Sequence, residues 1–231
     1  GGLRTLAKHL NIGGVRLFDG NQRDDNTHTT IEGYAQVKRL PEHLLETLGI
    51  TDVLLGRHRD KPAVSIPYFD ADGNQVAIRY RTAFTGKDRF RWRRGSKVHP
   101  YGLWRLDDAQ EAGYIWIVEG ESDTQTLWYH GEPALGIPGA SVWKDEWKEH
   151  VEGLTCYVWK EPDQGGDAFV EKVGASLPDA LIVTPPEGRK DISECHCLGD
   201  DVLDVLEERK RKARTWHEIE AERKSRRARD A

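Results

Sequence analysis

Three acidic clusters in this chain have the composition of a cation site: Glu119-Gly120-Glu121-Ser122-Asp123, Glu161-Pro162-Asp163-Gln164-Gly165-Gly166 and Lys190-Asp191. Each follows an apolar run that reads as a strand, at 114–118, 154–159 and 180–184. In an open parallel sheet, ligands gather outside the carboxyl ends of the strands. Carboxylates from neighbouring strand ends would therefore converge. Like charges brought that close repel unless a divalent cation neutralises them, and all-oxygen donors favour Mg2+ or Mn2+ over Zn2+. Any one of these acids would serve equally well as a helix N-cap. Their repetition at three successive strand ends is what points to metal.

A second constellation precedes the first. The segment 75–83 alternates, with Val76, Ile78 and Tyr80 on one face and Arg79 and Arg81 on the other. The run 89–94 alternates too, with Phe90 and Trp92 set against Arg89, Arg91 and Arg93. Period two predicts an antiparallel sheet with an apolar underside and a basic top. On that top Arg79, Arg81, Arg89, Arg91, Arg93 and Lys97 would face a polyanion, while Phe90 and Trp92 would form core.

The elements that must position these residues change character along the chain. Residues 3–10 read as a short helix, 18–30 as a polar loop, and 41–48 as a helix opened by Pro41 and closed by Gly49. A strand near 63–68 and a turn at 70–74 lead into the basic sheet. From residue 114 strands alternate with helices at about 122–130, 144–150 and 166–175, with further strands near 133–137 and 180–184 and a short helix after Asp191. That order predicts a parallel, helix-covered sheet. The end, 201–229, reads as one charged helix that leaves the domain as a linker. The expected units are a helical and loop segment 1–56, a basic subdomain 57–112, an α/β domain 113–198 and the charged tail 199–231.

Charge follows the same division. The net charge of −5 over 231 residues conceals +8 in residues 57–105 and −14 in 106–200, flanked by −1 and +2. Such asymmetry fits a polyanion on one surface and bound cations on another. No apolar run approaches the roughly 18 residues of a membrane span, and no signal peptide opens the chain, so a cytoplasmic protein is expected. The three cysteines allow no disulfide framework. Cys195-His196-Cys197 lacks the separated second pair of a zinc site, so no zinc is expected. With no Met at all and Gly1-Gly2 in front, the chain reads as a piece of a longer protein.

The segment Ile117-Val118-Glu119-Gly120-Glu121-Ser122-Asp123 resembles the first motif of the Toprim domain. Glu161-Pro162-Asp163-Gln164-Gly165-Gly166 resembles its second, and Lys190-Asp191 resembles the Lys-Asp step after its last strand. The segment 133–140 fits its second strand and glycine-rich turn. Ahead of it, residues 66–74, the basic run 89–97 and Tyr101-Gly102-Leu103 resemble the N-terminal half of the RNA-polymerase domain of DnaG-type primases of bacteria, phages and plasmids. The resemblance covers about 60–198, and more loosely from 34. Two features depart from it: Glu161 stands where Asp is usual, and neither a zinc-binding module nor a helicase P-loop is present.

The resemblance implies an α/β Toprim sheet behind a smaller α+β basic subdomain. It also implies a nucleotidyltransferase that makes short primers on single-stranded DNA from nucleoside triphosphates with Mg2+ or Mn2+. A helicase, or a helicase domain of the same parent chain, would be a partner. In that reading Glu161 and Asp163 are the main metal ligands, joined by Asp123 and Asp191. Glu119 and Asp163 are catalytic, with Glu119 acting as general acid or base or as a further ligand. Gly120, Gly165, Gly166 and Lys190 meet phosphate, and the six basic residues named above meet the template. A Toprim nuclease and a non-catalytic nucleic-acid-binding module remain as alternatives.

Overall fold

The computed structural model describes residues 29–86 and 88–230. The helix expected at 3–10 and most of the loop expected at 18–30 lie outside that range. Helix α1 (Ile31–Lys38) is capped by the Thr30 side chain, which accepts from Gly33 N, and α2 (Glu42–Thr47) starts behind Pro41. They lead into an antiparallel sheet of β1 (Thr51–Leu55), β2 (Lys61–Phe69), β3 (Gln75–Arg81) and β4 (Phe90–Trp92), in the order β1-β2-β3-β4. The β2–β3 turn is tied by Asp70, whose carboxylate accepts from Asp72 N and Asn74 N at 3.1 and 2.8 Å, the Asx arrangement that makes Asp a turn former. The boundary expected at 56/57 needs correcting, because β1 pairs with β2 along its length, from Thr51↔Ser65 to Leu55↔Lys61.

The faces of the basic sheet also need correcting. Arg79 lies opposite Trp92, Tyr80 opposite Arg91, and Arg81 opposite Phe90. Residues directly opposite on paired strands share a face. Arg79 and Arg81 therefore lie with Phe90 and Trp92 on the face that carries Val64, Ile66, Tyr68 and Ala77 into the core. Arg91 lies with Tyr80 on the other face, and Arg81 is only 4% exposed. Stacking makes this tolerable. The Arg79 guanidinium sits 4.2 Å from the Phe90 ring centre, and that of Arg81 lies 4.9, 5.5 and 5.1 Å from those of Tyr34, Phe84 and Phe90, distances at which a ring face attracts a cation.

A 3-10 turn and α3 (Leu106–Ala112) connect to the second sheet. Its strands are β5 (Tyr114–Glu119), β6 (Ala134–Ile137), β7 (Thr155–Trp159) and β8 (Leu181–Val183), parallel in the order β6-β5-β7-β8. They are covered by α4 (Glu121–Tyr129), α5 (Gln164–Ser176) and α6 (Ile192–Leu198); the segment 145–151 is a 3-10 helix. β5 is apolar because both of its faces are covered: Ile115, Trp116, Ile117 and Val118 are all buried.

The tail differs from the single departing helix expected of it. Helix α7 (Val202–Lys212) stops, β9 (Arg214–Thr215) adds antiparallel to β8, and α8 (Trp216–Arg229) restarts under a capping box of Thr215 and Glu218. Trp216 is buried against α5, where a Cβ on Gly174 would lie 2.3 Å from its indole. Tyr101, in the connection between the two sheets, forms an isolated antiparallel bridge with Gly136 of β6, with backbone bonds of 2.7 and 2.8 Å.

Candidate active site

The chain leaves β5 toward β6 on one side and reaches β7 on the other, so the strand order reverses between β5 and β7. Such a switch point opens a crevice at the carboxyl ends of the strands. Glu119 is the last residue of β5, and Glu161 follows β7 by two residues. Gly120 turns the chain from β5 into α4 at φ +79°, a conformation that disfavours a side chain. Its amide donates to Ile137 O at 2.7 Å. Gly166 has a packing reason to be glycine, since its Cβ would lie 2.1 Å from the Glu161 carbonyl oxygen. Gly165 sits in the same first turn of α5, against the Asp163 carboxylate.

Asp123, Glu161 and Asp191 each offer a carboxylate oxygen, and these oxygens lie within 4.8 Å of one another. Asp123 is 5% exposed, and its Oδ1 accepts from Ser193 N at 2.8 Å. Burial, reinforced by Asp191, pushes its pKa well above the usual carboxylate range; Lys38 and the Ser193 amide pull the other way. Lys38, from α1, donates to Ser193 Oγ at 3.0 Å. Burial also raises Glu161, against the opposing pull of Lys190, whose ammonium lies 2.8 Å from Glu161 Oε2 and 3.7 Å from Asp163 Oδ2. Glu119 is pushed up to about 7, first by burial and then by Glu161 and Asp163, with Lys190 opposing. Its Oε1 is buried, with no hydrogen-bond partner among the described residues.

Two of the acids also act as helix caps. Asp163 Oδ1 accepts from Gly166 N at 2.9 Å to start α5, and Asp191 Oδ1 accepts from Glu194 N at 2.7 Å to start α6. Each has a second oxygen outside its capping bond. Capping and cation binding are therefore compatible here. An oxygen-only triad, buried at Asp123 and half-buried at Asp191, suits a hard divalent cation. The acidic triad could hold a metal ion.

The structure divides the remaining expected residues. Lys190 joins the carboxylates. Arg89, Arg91, Arg93 and Lys97 are exposed, whereas Arg79 and Arg81 belong to the inner face. Three participants escaped the sequence reading. Glu121, 2% exposed, receives Arg79 Nη1 at 3.0 Å and the Tyr68 hydroxyl on the same oxygen. Lys38 and Ser193 brace Asp123. The one sequence signal for Glu121 is its place in the first turn of α4, two residues after Glu119.

No known family profile matches the chain. The Gene 57 protein of Mycobacterium phage D29 is 33% identical over 129 residues, which are 55% of this chain and 84% of that protein. The chain belongs to the family of that phage protein. Solved structures place the fold. The catalytic core of DnaG superposes with a TM-score of 0.64 at 15% identity, over 83% of this chain and 75% of that one. A DnaG primase catalytic domain bound to single-stranded DNA gives 0.63 at 15% identity, over 84% and 74%. The primase fragment of the bacteriophage T7 primase-helicase protein gives 0.60 at 19% identity, over 87% and 82%. The fold is that of a primase catalytic core: a Toprim-type parallel sheet behind an antiparallel basic subdomain. Among the described residues no helix is long and apolar enough to cross a membrane.

Proposed function

We propose that this chain is a primase-type nucleotidyltransferase core that joins nucleotides on a single-stranded DNA template. The observation that carries the reading is the set of converging carboxylates at the switch point between β5 and β7, on a primase-core fold. Asp123, Glu161 and Asp191 would hold a divalent cation, Mg2+ or Mn2+, with Asp163 and Glu119 beside them. Such an ion, when bound, supplies charge neutralisation for a triphosphate and acidifies a coordinated hydroxyl.

The chain's own groups do the rest. A primer 3′-hydroxyl attacks the α-phosphorus of the incoming triphosphate. One P–O bond forms, the bond to the β-phosphate oxygen breaks, and pyrophosphate leaves. Glu119, whose carboxyl is raised by burial and by Glu161 and Asp163, ends β5 beside the triad and would accept the hydroxyl proton. Lys190 offsets phosphate charge next to Glu161. Gly120, with open space where a Cβ would stand, leaves the first turn of α4 accessible to phosphate, where helix N-termini favour anions. Gly165 and Gly166 instead pack against Asp163 and the Glu161 backbone, and the Gly166 amide is held by the Asp163 cap. The exposed Arg89, Arg91, Arg93 and Lys97 would track a nucleic-acid backbone without reading its sequence.

The test is incubation with single-stranded DNA, labelled nucleoside triphosphates and Mg2+ or Mn2+. Short labelled oligomers that disappear with Asp163→Asn support the reading. Template degradation without synthesis would replace it with a nuclease, and metal-independent binding alone with a non-catalytic module.

A further inference from the structure

We propose that Glu121 is a positioning residue: together with Tyr68 it fastens Arg79 of the basic sheet to the first turn of α4, and so sets the places of Glu119 and Asp123. The inference deepens the primase reading and rests on it for its kinetic readout.

The argument starts from where α4 is held. Glu121 and Gln125 are one turn apart and share a face. On that face Glu121 Oε1 takes both Arg79 Nη1, at 3.0 Å, and the Tyr68 hydroxyl. Gln125 Oε1 takes the Tyr34 hydroxyl at 2.6 Å, and Gln125 Nε2 donates to the Tyr101 hydroxyl at 3.1 Å. Glu121, Gln125, Tyr34, Tyr68 and Tyr101 are all buried. Asp123 lies between Glu121 and Gln125 on a different face, bonded to Ser193 and reaching toward Glu161 and Asp191. One short helix thus carries the joint to the antiparallel sheet on one side and a candidate metal ligand on the other, directly after Glu119.

Arg79 fits this tether better than a template contact. Its side chain is 13% exposed. Phe90 and Trp92 stack on the guanidinium at 4.2 and 5.3 Å, and the charge is met by Glu121. A fixed carboxylate–guanidinium pair between β3 and α4 is a stiff link only while both charges are present. Groups that orient a metal ligand from behind commonly change affinity or rate 10–100-fold when removed.

The experiment measures Mn2+ binding by the whole chain, single-stranded DNA binding across a salt series, and primer synthesis. The variants are Glu121→Gln, Tyr68→Phe, Arg79→Gln and the double variant Glu121→Gln/Arg79→Gln. The expected result is Mn2+ affinity weakened severalfold or more in Glu121→Gln, and less so in Tyr68→Phe. In both, kcat falls about tenfold or more while KM for the nucleotide and DNA affinity stay within twofold. The double variant regains thermal stability, since no buried charge is left alone, yet keeps the Mn2+ and kcat defects; a purely structural pair would recover both. If Glu121→Gln does not fold, Tyr68→Phe, which removes one hydroxyl, decides. Wild-type Mn2+ affinity and kcat in the folded variants would overturn the tether, as would an Arg79→Gln variant whose DNA salt slope drops by about one, the mark of a lost phosphate contact. A wild type that binds Mn2+ but makes no oligomers defeats the primase reading and leaves the Mn2+ comparison to judge Glu121.

Discussion

Replacing Glu119 with Gln should stabilise the metal-free protein above neutral pH. In the folded chain the carboxyl is pushed up from 4.5 to about 7. Between those values the folded state binds more protons than the unfolded one, so stability falls as pH rises through that window, and the whole penalty is present above about pH 7. Fully realised, such a shift is worth about 3 kcal/mol. Glu119 keeps some contact with solvent, which screens its neighbours, so about 1–2 kcal/mol is the working figure. Gln resembles the protonated acid and removes the penalty. For a chain of this size that corresponds to a rise in Tm of about 3–6 °C. Calorimetry in chelator at pH 8 and pH 5 should show the rise at pH 8 and little at pH 5. Saturating Mn2+ should raise the Tm of wild type more than that of the variant. A variant that is unchanged or less stable at pH 8 would refute the electrostatic reasoning, because Glu119 would then be comfortable as an anion.

Gly174→Ala should destabilise the fold by about 1–3 kcal/mol, because the new methyl would meet the Trp216 indole at 2.3 Å; a chemical-denaturation midpoint within error of wild type would show that α8 does not dock on α5. His130 is pulled down to about 4 by burial and by His196, so the folded state binds fewer protons than the unfolded between about 4 and 6.5, and stability should be lost as pH falls through that range. His130→Gln should flatten this acid limb by about 1–2 kcal/mol in denaturant titrations at pH 7.5 and 4.5. Arg91→Ala with Arg93→Ala should weaken single-stranded DNA binding and lower its log–log salt slope by about 1–2; an unchanged slope removes the outer face of β4 from the nucleic-acid path.

The second sheet was legible because its parallel strands are short unbroken apolar runs, and β5 and β7 lead straight into acid at Glu119 and Glu161, so periodicity and chemistry mark the same places. The basic sheet was legible only as a sheet. Alternation sorts Arg79 and Arg81 from Ile78 and Tyr80, but it cannot say which set faces inward. That depends on the β3–β4 register, and the connection 82–89 carries no turn signature that fixes it. Aromatic stacking and a buried carboxylate 42 residues further along the chain reversed the usual preference for apolar residues inside. β1 escaped because Thr51–Leu55 is short and mostly exposed or half-exposed. The break in the tail did have a signal, the Thr215-x-x-Glu218 capping box, masked by the charge of its surroundings. Among the candidate site residues, the acids at strand ends could be read from order and type alone. Glu121 could not, since its partners Arg79 and Tyr68 lie 42 and 53 residues away.

The most direct test of the central claim is template-dependent synthesis by this chain on single-stranded DNA with labelled triphosphates and Mg2+ or Mn2+, run beside Asp163→Asn and Glu119→Gln. The account predicts short labelled oligomers from the wild type, absent without divalent cation and reduced at least a hundredfold in both variants. Oligomers that persist undiminished in both variants, or a wild type that binds cation and template yet forms no phosphodiester bond, would contradict it.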